Sequence, residues 1–245
     1  MLPRSVLLLP ALLLGCARQP PAKLTVAAAA NLTDVFGEIG KAFQAKTGGE
    51  VVFTYASTAQ LAQQIENGAP IDLFAAADTE HVDLLIRDGK IDKSTRAVYA
   101  IGQLALWVPK GDAVGVLKDL TGDSVRFIAI AKPELAPYGQ AAQEALTNAG
   151  LWEKLQPKIV YGNNISTVKQ MAQSGNADAT FTAYSLVLHD QGTILKVDPR
   201  LFKPIQQALG IVSSSPHRKE ADAFRSFLLG DEGRAILSKN GYLTQ

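Results

Sequence analysis

Strand-like runs alternate with helix-like runs along nearly the whole chain, and at four of the junctions small or polar residues lead straight into the first turn of a helix. The junctions are Ala29-Ala30-Asn31-Leu32, Ala56-Ser57-Thr58-Ala59, Ala136-Pro137-Tyr138-Gly139 and Asn163-Asn164-Ile165-Ser166. Alternation at this spacing specifies βαβ units on mainly parallel sheets, the α/β class. A helix N-terminus leaves about four backbone N–H groups unpaired and carries roughly half a positive charge, so it draws anions without a formal cation. Open α/β sheets bind their ligands at the carboxyl ends of strands, where all four junctions fall. Four such ends converging on one point make a cage for a small oxyanion. None of the four contains Lys or Arg. Neutral donors suit an anion that only accepts hydrogen bonds, whereas a ligand that keeps a proton also calls for an acceptor such as Asp.

Residues 23–30 read as a buried strand, then Leu32, Val35, Phe36, Ile39 and Phe43 recur at helical spacing behind Asn31 as N-cap, and Gly48-Gly49 ends the helix. A strand over 51–55, a helix over 58–66, a strand over 71–77 and a helix over 81–88 complete the first unit. Beyond residue 100 strands over 104–108, 126–131, 158–161 and 179–183 alternate with helices over 140–149 and 166–173. Residues 220–237 form a helical tail whose packing partner the composition does not reveal.

The first residues, Met1-Leu2-Pro3-Arg4-Ser5, precede an apolar run over 6–14 and then Gly15-Cys16. This describes a secretory signal, too short for a membrane span of about 20 residues. Leu13-Leu14-Gly15-Cys16 also resembles the lipobox of bacterial lipoproteins. Residues 1–15 are then a lipoprotein signal peptide, Cys16 is the lipid anchor to the membrane, and residues 16–22 are a proline-stiffened tether; the alternative is a stray cysteine within the signal. As the only cysteine, Cys16 cannot form an intrachain disulfide. The chain carries 24 basic and 23 acidic residues, and losing Arg4 with the signal makes the two equal. With no basic run, electrostatic capture of nucleic acid and of membranes through a basic patch is disfavoured. At 47% apolar residues there is material for two lobes.

Taken singly, the junction residues are ambiguous. Asn31 either caps its helix or donates its amide nitrogen to a ligand; Ser57 and Thr58 sit where hydroxyls routinely cap. Tyr138, held between Pro137 and Gly139, is either a ligand, a cover for the cleft or an ordinary aromatic, and Ile165 offers only its backbone N–H. Enzymatic chemistry has less support. His81, His189 and His217 fall in no metal-ligand spacing and read as solvated surface residues, and no Gly-x-Ser-x-Gly or Gly-x-Gly-x-x-Gly motif is present. Asp72 and Asp78 stand at opposite ends of one expected strand, about 20 Å apart, too far for shared acid–base work.

The runs Ala27-Ala28-Ala29-Ala30-Asn31-Leu32, Tyr55-Ala56-Ser57-Thr58, the stretch from Gln64 to Asp78 and the ending from Phe227 to Leu237 resemble the periplasmic molybdate-binding proteins of ABC transporters, over essentially all of residues 23–245. The resemblance implies a two-lobed solute-binding fold with two mainly parallel sheets, lobe 1 being 23–100 plus 205–245 and lobe 2 being 101–204, and a ligand cleft between them. It implies Asn31 and Thr58 as first-lobe ligands, with Ala30 and Ser57 adjacent, and Tyr138 and the amide of Ile165 from the second lobe. One branch of the family has Ser in place of Asn31, Ala in place of Tyr138 and a ligand Tyr near Ala183; this chain is similar to another branch, and Tyr184 is not taken as a ligand. The implied protein is a monomer that needs no cofactor, captures molybdate or tungstate and passes it to an ABC permease. Sulfate is the rival ligand, and an enzyme or a structural lipoprotein are the rival classes.

Overall fold

Runs of small and β-branched residues without charge make the central strands of two sheets. A computed structural model of the chain describes residues 23–110 and 114–244. The expected signal, Cys16 and all of its tether lie outside the described residues. The first unit holds β1 (Lys23–Ala29), a 3-10 turn (Ala30–Leu32), α1 (Thr33–Thr47), β2 (Glu50–Ala56), α2 (Thr58–Glu66), β3 (Leu73–Ala75), α3 (Glu80–Arg87) and β4 (Ala97–Gly102). After Gln103 come β5 (Leu104–Val108), β6 (Ile128–Ala131), α4 (Pro137–Asn148), α5 (Trp152–Leu155), β7 (Ile159–Gly162), α6 (Ile165–Gln173), β8 (Ala179–Ala183), α7 (Tyr184–Val187) and β9 (Thr193–Lys196). The chain then runs through β10 (Ile205–Ile211), α8 (Arg218–Leu229) and α9 (Asp231–Lys239).

The first sheet has the order β2-β1-β3-β10-β4 and the second β7-β6-β8-β5-β9. β1 pairs parallel with β2 and β3, and β6 with β7 and β8. β10 runs antiparallel to β3 and β4, and β5 to β8 and β9. The expected mainly parallel sheets are therefore mixed, each with four strands in one direction and one reversed. The reversed strands are the two that receive the chain as it crosses between sheets, β5 after Gln103 and β10 after residues 197–204. They arrive without the crossover helix that makes sheet neighbours parallel.

Three local readings need correction. The strand expected over 71–77 shortens to β3, because Asp72 is drawn into side-chain bonding and Ala76 donates its N–H to Ala208. Asn31 does not cap α1: it lies inside the 3-10 turn, α1 starts at Thr33, and the hydroxyl of Thr33 bonds the Ala30 carbonyl at 2.9 Å. The single tail helix is two, broken at Gly230, which is extended at ψ 174°. Gly233 makes the sharp turn possible, since a Cβ there would stand 2.5 Å from the carbonyl oxygens of Phe227 and Leu228. The tail packs on α1, with ring centroids of Phe43 and Phe224 at 5.3 Å and of Phe43 and Phe227 at 5.7 Å. Among the described residues no helix is long and apolar enough to cross a membrane.

Candidate functional site

Each junction acquires its shape from its own sequence. Ser57 is the N-cap of α2 in a reciprocal capping box: Gln60 donates its N–H to Ser57 Oγ, while Gln60 Oε1 accepts from Ser57 N at 3.3 Å and from Ser57 Oγ at 2.8 Å. Thr58 follows, its hydroxyl oxygen accepting from the Ala77 N–H at 3.2 Å, so that its own proton remains to be donated. Asn164 caps α6 by accepting from Thr167 N at 2.9 Å, which leaves Ile165 as the first helical residue. α4 opens with Pro137, whose lack of an N–H costs nothing at that position. Gly139 lets α4 press against β6, because a Cβ would stand 2.0 Å from the Ala131 carbonyl oxygen.

These junctions meet. Ala30, Asn31, Ser57, Thr58, Tyr138 and Ile165 all line one small cavity, together with Ala29, Ala77, Ala136, Pro137 and Asn164. All six candidates are at most 4% exposed. No charged residue is in that wall. A wider surface depression nearby includes Asp78, Glu80 and Glu144, three carboxyl groups that disfavour a dianion there. Hydrogen bonds cross the cleft around the cavity: Ala59 N to Leu135 O at 3.2 Å, Ser166 Oγ to Ala30 O at 3.1 Å and Ser185 Oγ to Asn31 O at 3.5 Å.

Behind the cavity lies a polar cluster that the sequence did not disclose. Asn31 Nδ2 donates to Gln207 Oε1 at 2.8 Å and to the Tyr242 hydroxyl at 3.0 Å. Gln207 Nε2 donates to the Tyr138 hydroxyl, and Tyr99 reaches both Ala76 O and Gln207 Oε1 at 2.9 Å. Gln207, in β10, is completely buried. Its only local signal is a polar residue between Ile205 and Leu209, which reads equally well as a loop. Burial holds the phenols of Tyr99, Tyr138 and Tyr242 above the ordinary tyrosine range, so all three stay neutral. Tyr184 lies outside the cavity, its ring under Lys196 Nζ at 4.0 Å.

The histidine expectation is corrected in part. His81 Nδ1 lies 2.7 Å from Asp78 Oδ2, a hydrogen bond that raises its pKa, and His217 Nδ1 lies 3.2 Å from buried Asp72, which also accepts from Ser215 Oγ at 2.6 Å. Both are half-buried partners of carboxylates; His189 is exposed. Among the described residues no group of three or more His, Cys, Asp or Glu is placed to hold a metal ion.

Two mixed sheets crossed twice by the chain, with helix N-termini facing one another across the gap, define the two-lobed solute-binding fold. Residues 24–243 match the family described as "Bacterial extracellular solute-binding protein". The molybdate-binding protein ModA of Rhodobacter capsulatus is 35% identical over 237 residues, covering 96% of this chain and 94% of its own. The structure of the Azotobacter vinelandii periplasmic molybdate-binding protein matches with a TM-score of 0.88 at 32% identity, over 91% of this chain and 99% of that one. The sulfate-binding protein SubI of Mycobacterium tuberculosis H37Rv shares the fold alone, at 16% identity and a TM-score of 0.75 over 90% and 86%. The chain belongs to the ModA family of bacterial extracellular solute-binding proteins.

Proposed function

We propose that this protein captures molybdate, or the nearly isosteric tungstate, in the cleft and delivers it to an ABC permease, and that Cys16 tethers it to the membrane by a lipid. The observation that carries the reading is the wall of this small cavity: four chain segments, two from each lobe, bring backbone and hydroxyl donors together without one charged side chain. Such a wall holds a permanently ionised oxyanion by directed hydrogen bonds and offers little to a sugar or an amino acid. Asn31, Thr58, Tyr138 and Ile165 supply the donors in this reading, with Ala30 and Ser57 beside them. Ser57 commits its hydroxyl to Gln60, so its share falls to the backbone. Lobe 1 comprises 23–100 and 205–245, lobe 2 comprises 101–204, and the protein works as a monomer without cofactor.

Thermal unfolding with added anions tests the reading. A ligand at about 100 times its dissociation constant stabilises by roughly 2.7 kcal/mol. Molybdate and tungstate are expected to raise the melting temperature at lower concentration than sulfate, and neutral solutes to leave it unchanged. No shift at millimolar molybdate removes the oxyanion reading, and a larger shift with sulfate reassigns the ligand.

A further inference from the structure

Proton accounting around Gln207 leads beyond the ligand itself. The Tyr99 hydroxyl has one proton and two acceptors at 2.9 Å, Ala76 O and Gln207 Oε1. Gln207 Oε1 also receives Asn31 Nδ2. Gln207 Nε2, with two hydrogens, has the Tyr138 hydroxyl as its acceptor, and the Tyr138 proton is left over. Asn31 Nδ2 spends both hydrogens, on Gln207 and on Tyr242. The Asn31 side chain therefore has only its Oδ1 left to show a ligand. An acceptor in a cage for an anion is repulsive.

Turning both side-chain amides over settles the Tyr99 contacts without moving the chain, and in exchange brings Asn31 Oδ1 to the Tyr242 oxygen, whose proton is already given to the Asn31 main-chain carbonyl. Gln207 Nε2 then donates to Asn31 Oδ1 and to the Tyr99 oxygen, Tyr99 donates to Ala76 O alone, and Tyr138 donates to Gln207 Oε1. Asn31 Nδ2 is released toward the cavity, with the Asn31 main-chain carbonyl still held by Tyr242 at 2.7 Å. Each arrangement leaves one close contact without a proton, at Tyr99 in the first and at Tyr242 in the second, so the demand of the ligand can tip the balance between them.

We propose that Gln207 is a positioning residue for specificity: a concerted turn of the Gln207 and Asn31 amides decides whether the cleft presents a donor or an acceptor. A fully ionised oxyanion selects the donor form, and an oxyanion that retains a proton selects the acceptor form. Because Gln207 also bonds Tyr138 from the opposite lobe, the choice is made with the cleft closed. This rests on the oxyanion reading above.

The test is Gln207→Glu, which keeps the shape but has only acceptors when ionised, and so holds Asn31 Nδ2 toward itself and Asn31 Oδ1 toward the ligand. Molybdate and hydrogen arsenate are both dianions in mildly alkaline buffer, so the added charge weakens both and cancels in the ratio of their affinities. The wild type is expected to favour molybdate, and Q207E to narrow that preference about tenfold or more. Nitrogen-edited NMR of the wild type supplies a readout that needs no folded variant. The Asn31 side-chain N–H signals are expected to shift on adding molybdate as a proton of Nδ2 meets the anion. A wild type that binds molybdate while Q207E keeps the same preference, or while the Asn31 amide signals stay fixed, overturns the role given to Gln207 alone. A wild type that binds no molybdate overturns the oxyanion reading and this inference with it.

Discussion

In the proposed reading Thr58 serves both fold and ligand. Its oxygen is tied to the Ala77 N–H, which joins α2 to the chain beyond β3, and its own proton remains to be donated at the cavity it lines. Thr58→Val keeps shape and burial and removes the hydroxyl. Losing one hydrogen bond to a charged ligand costs about 1.5–3 kcal/mol, a tenfold to hundredfold weaker binding. Calorimetric titration is expected to return that loss, with Thr58→Ser close to wild type; unchanged affinity in Thr58→Val removes Thr58 from the ligand set. Ser185 is no neutral control in such a series, since its hydroxyl bonds Asn31 O and the Tyr242 hydroxyl. The carboxylate-paired histidine gives a second residue-scale expectation. The Asp78 hydrogen bond raises the folded-state pKa of His81 above the unfolded value of about 6.5. The stability it contributes is fully present below that pH and is lost as pH rises through the folded value. Melting temperatures across pH are expected to show this loss in the wild type and not in His81→Ala. Identical profiles would mean that the pair does not stabilise the fold.

At the level of elements, three of the four helix N-termini were legible because capping chemistry is local. Ser57 with Gln60, Asn164 with Thr167 and the Pro137–Gly139 start of α4 are each contained within a few residues. The place of Asn31 at a junction was legible but its hydrogen bonding was not, because its partners Gln207 and Tyr242 lie 176 and 211 positions away. No local rule connects them. β10 was missed for the same reason: Gln206 and Gln207 interrupt its apolar run, and only the register against β4, with its irregularity at Gln207 and Ala208, shows that one glutamine faces the core. The reversal of β5 and β10 also escaped the alternation pattern, which records that strands and helices follow one another but not which sheet a strand joins. The break at Gly230 depends on a close approach that becomes visible only when α9 is placed against the end of α8.

At the scale of the whole molecule, the proposed site is two incomplete half-sites that become one when the lobes meet. Ala59 with Leu135 and Ser166 with Ala30 tie first-sheet to second-sheet segments at the rim, while Gln207 and Tyr138 tie them behind the cavity. A ligand shifts the balance of open and closed forms only by its stronger binding to the closed one. The tether is a separable property. Changing Cys16→Ser is expected to move the protein from the membrane fraction to the soluble fraction while molybdate binding is unchanged. Retention on the membrane would show that the lipid reading of Cys16 is wrong. The site itself can be located directly by a crystal structure of the molybdate complex with anomalous data at a molybdenum absorption edge. We expect one strong peak between the first turns of α2, α4 and α6, within hydrogen-bonding reach of the Thr58 hydroxyl and the Ile165 N–H; a peak elsewhere, or none from crystals grown in saturating molybdate, would contradict the cleft as the binding site.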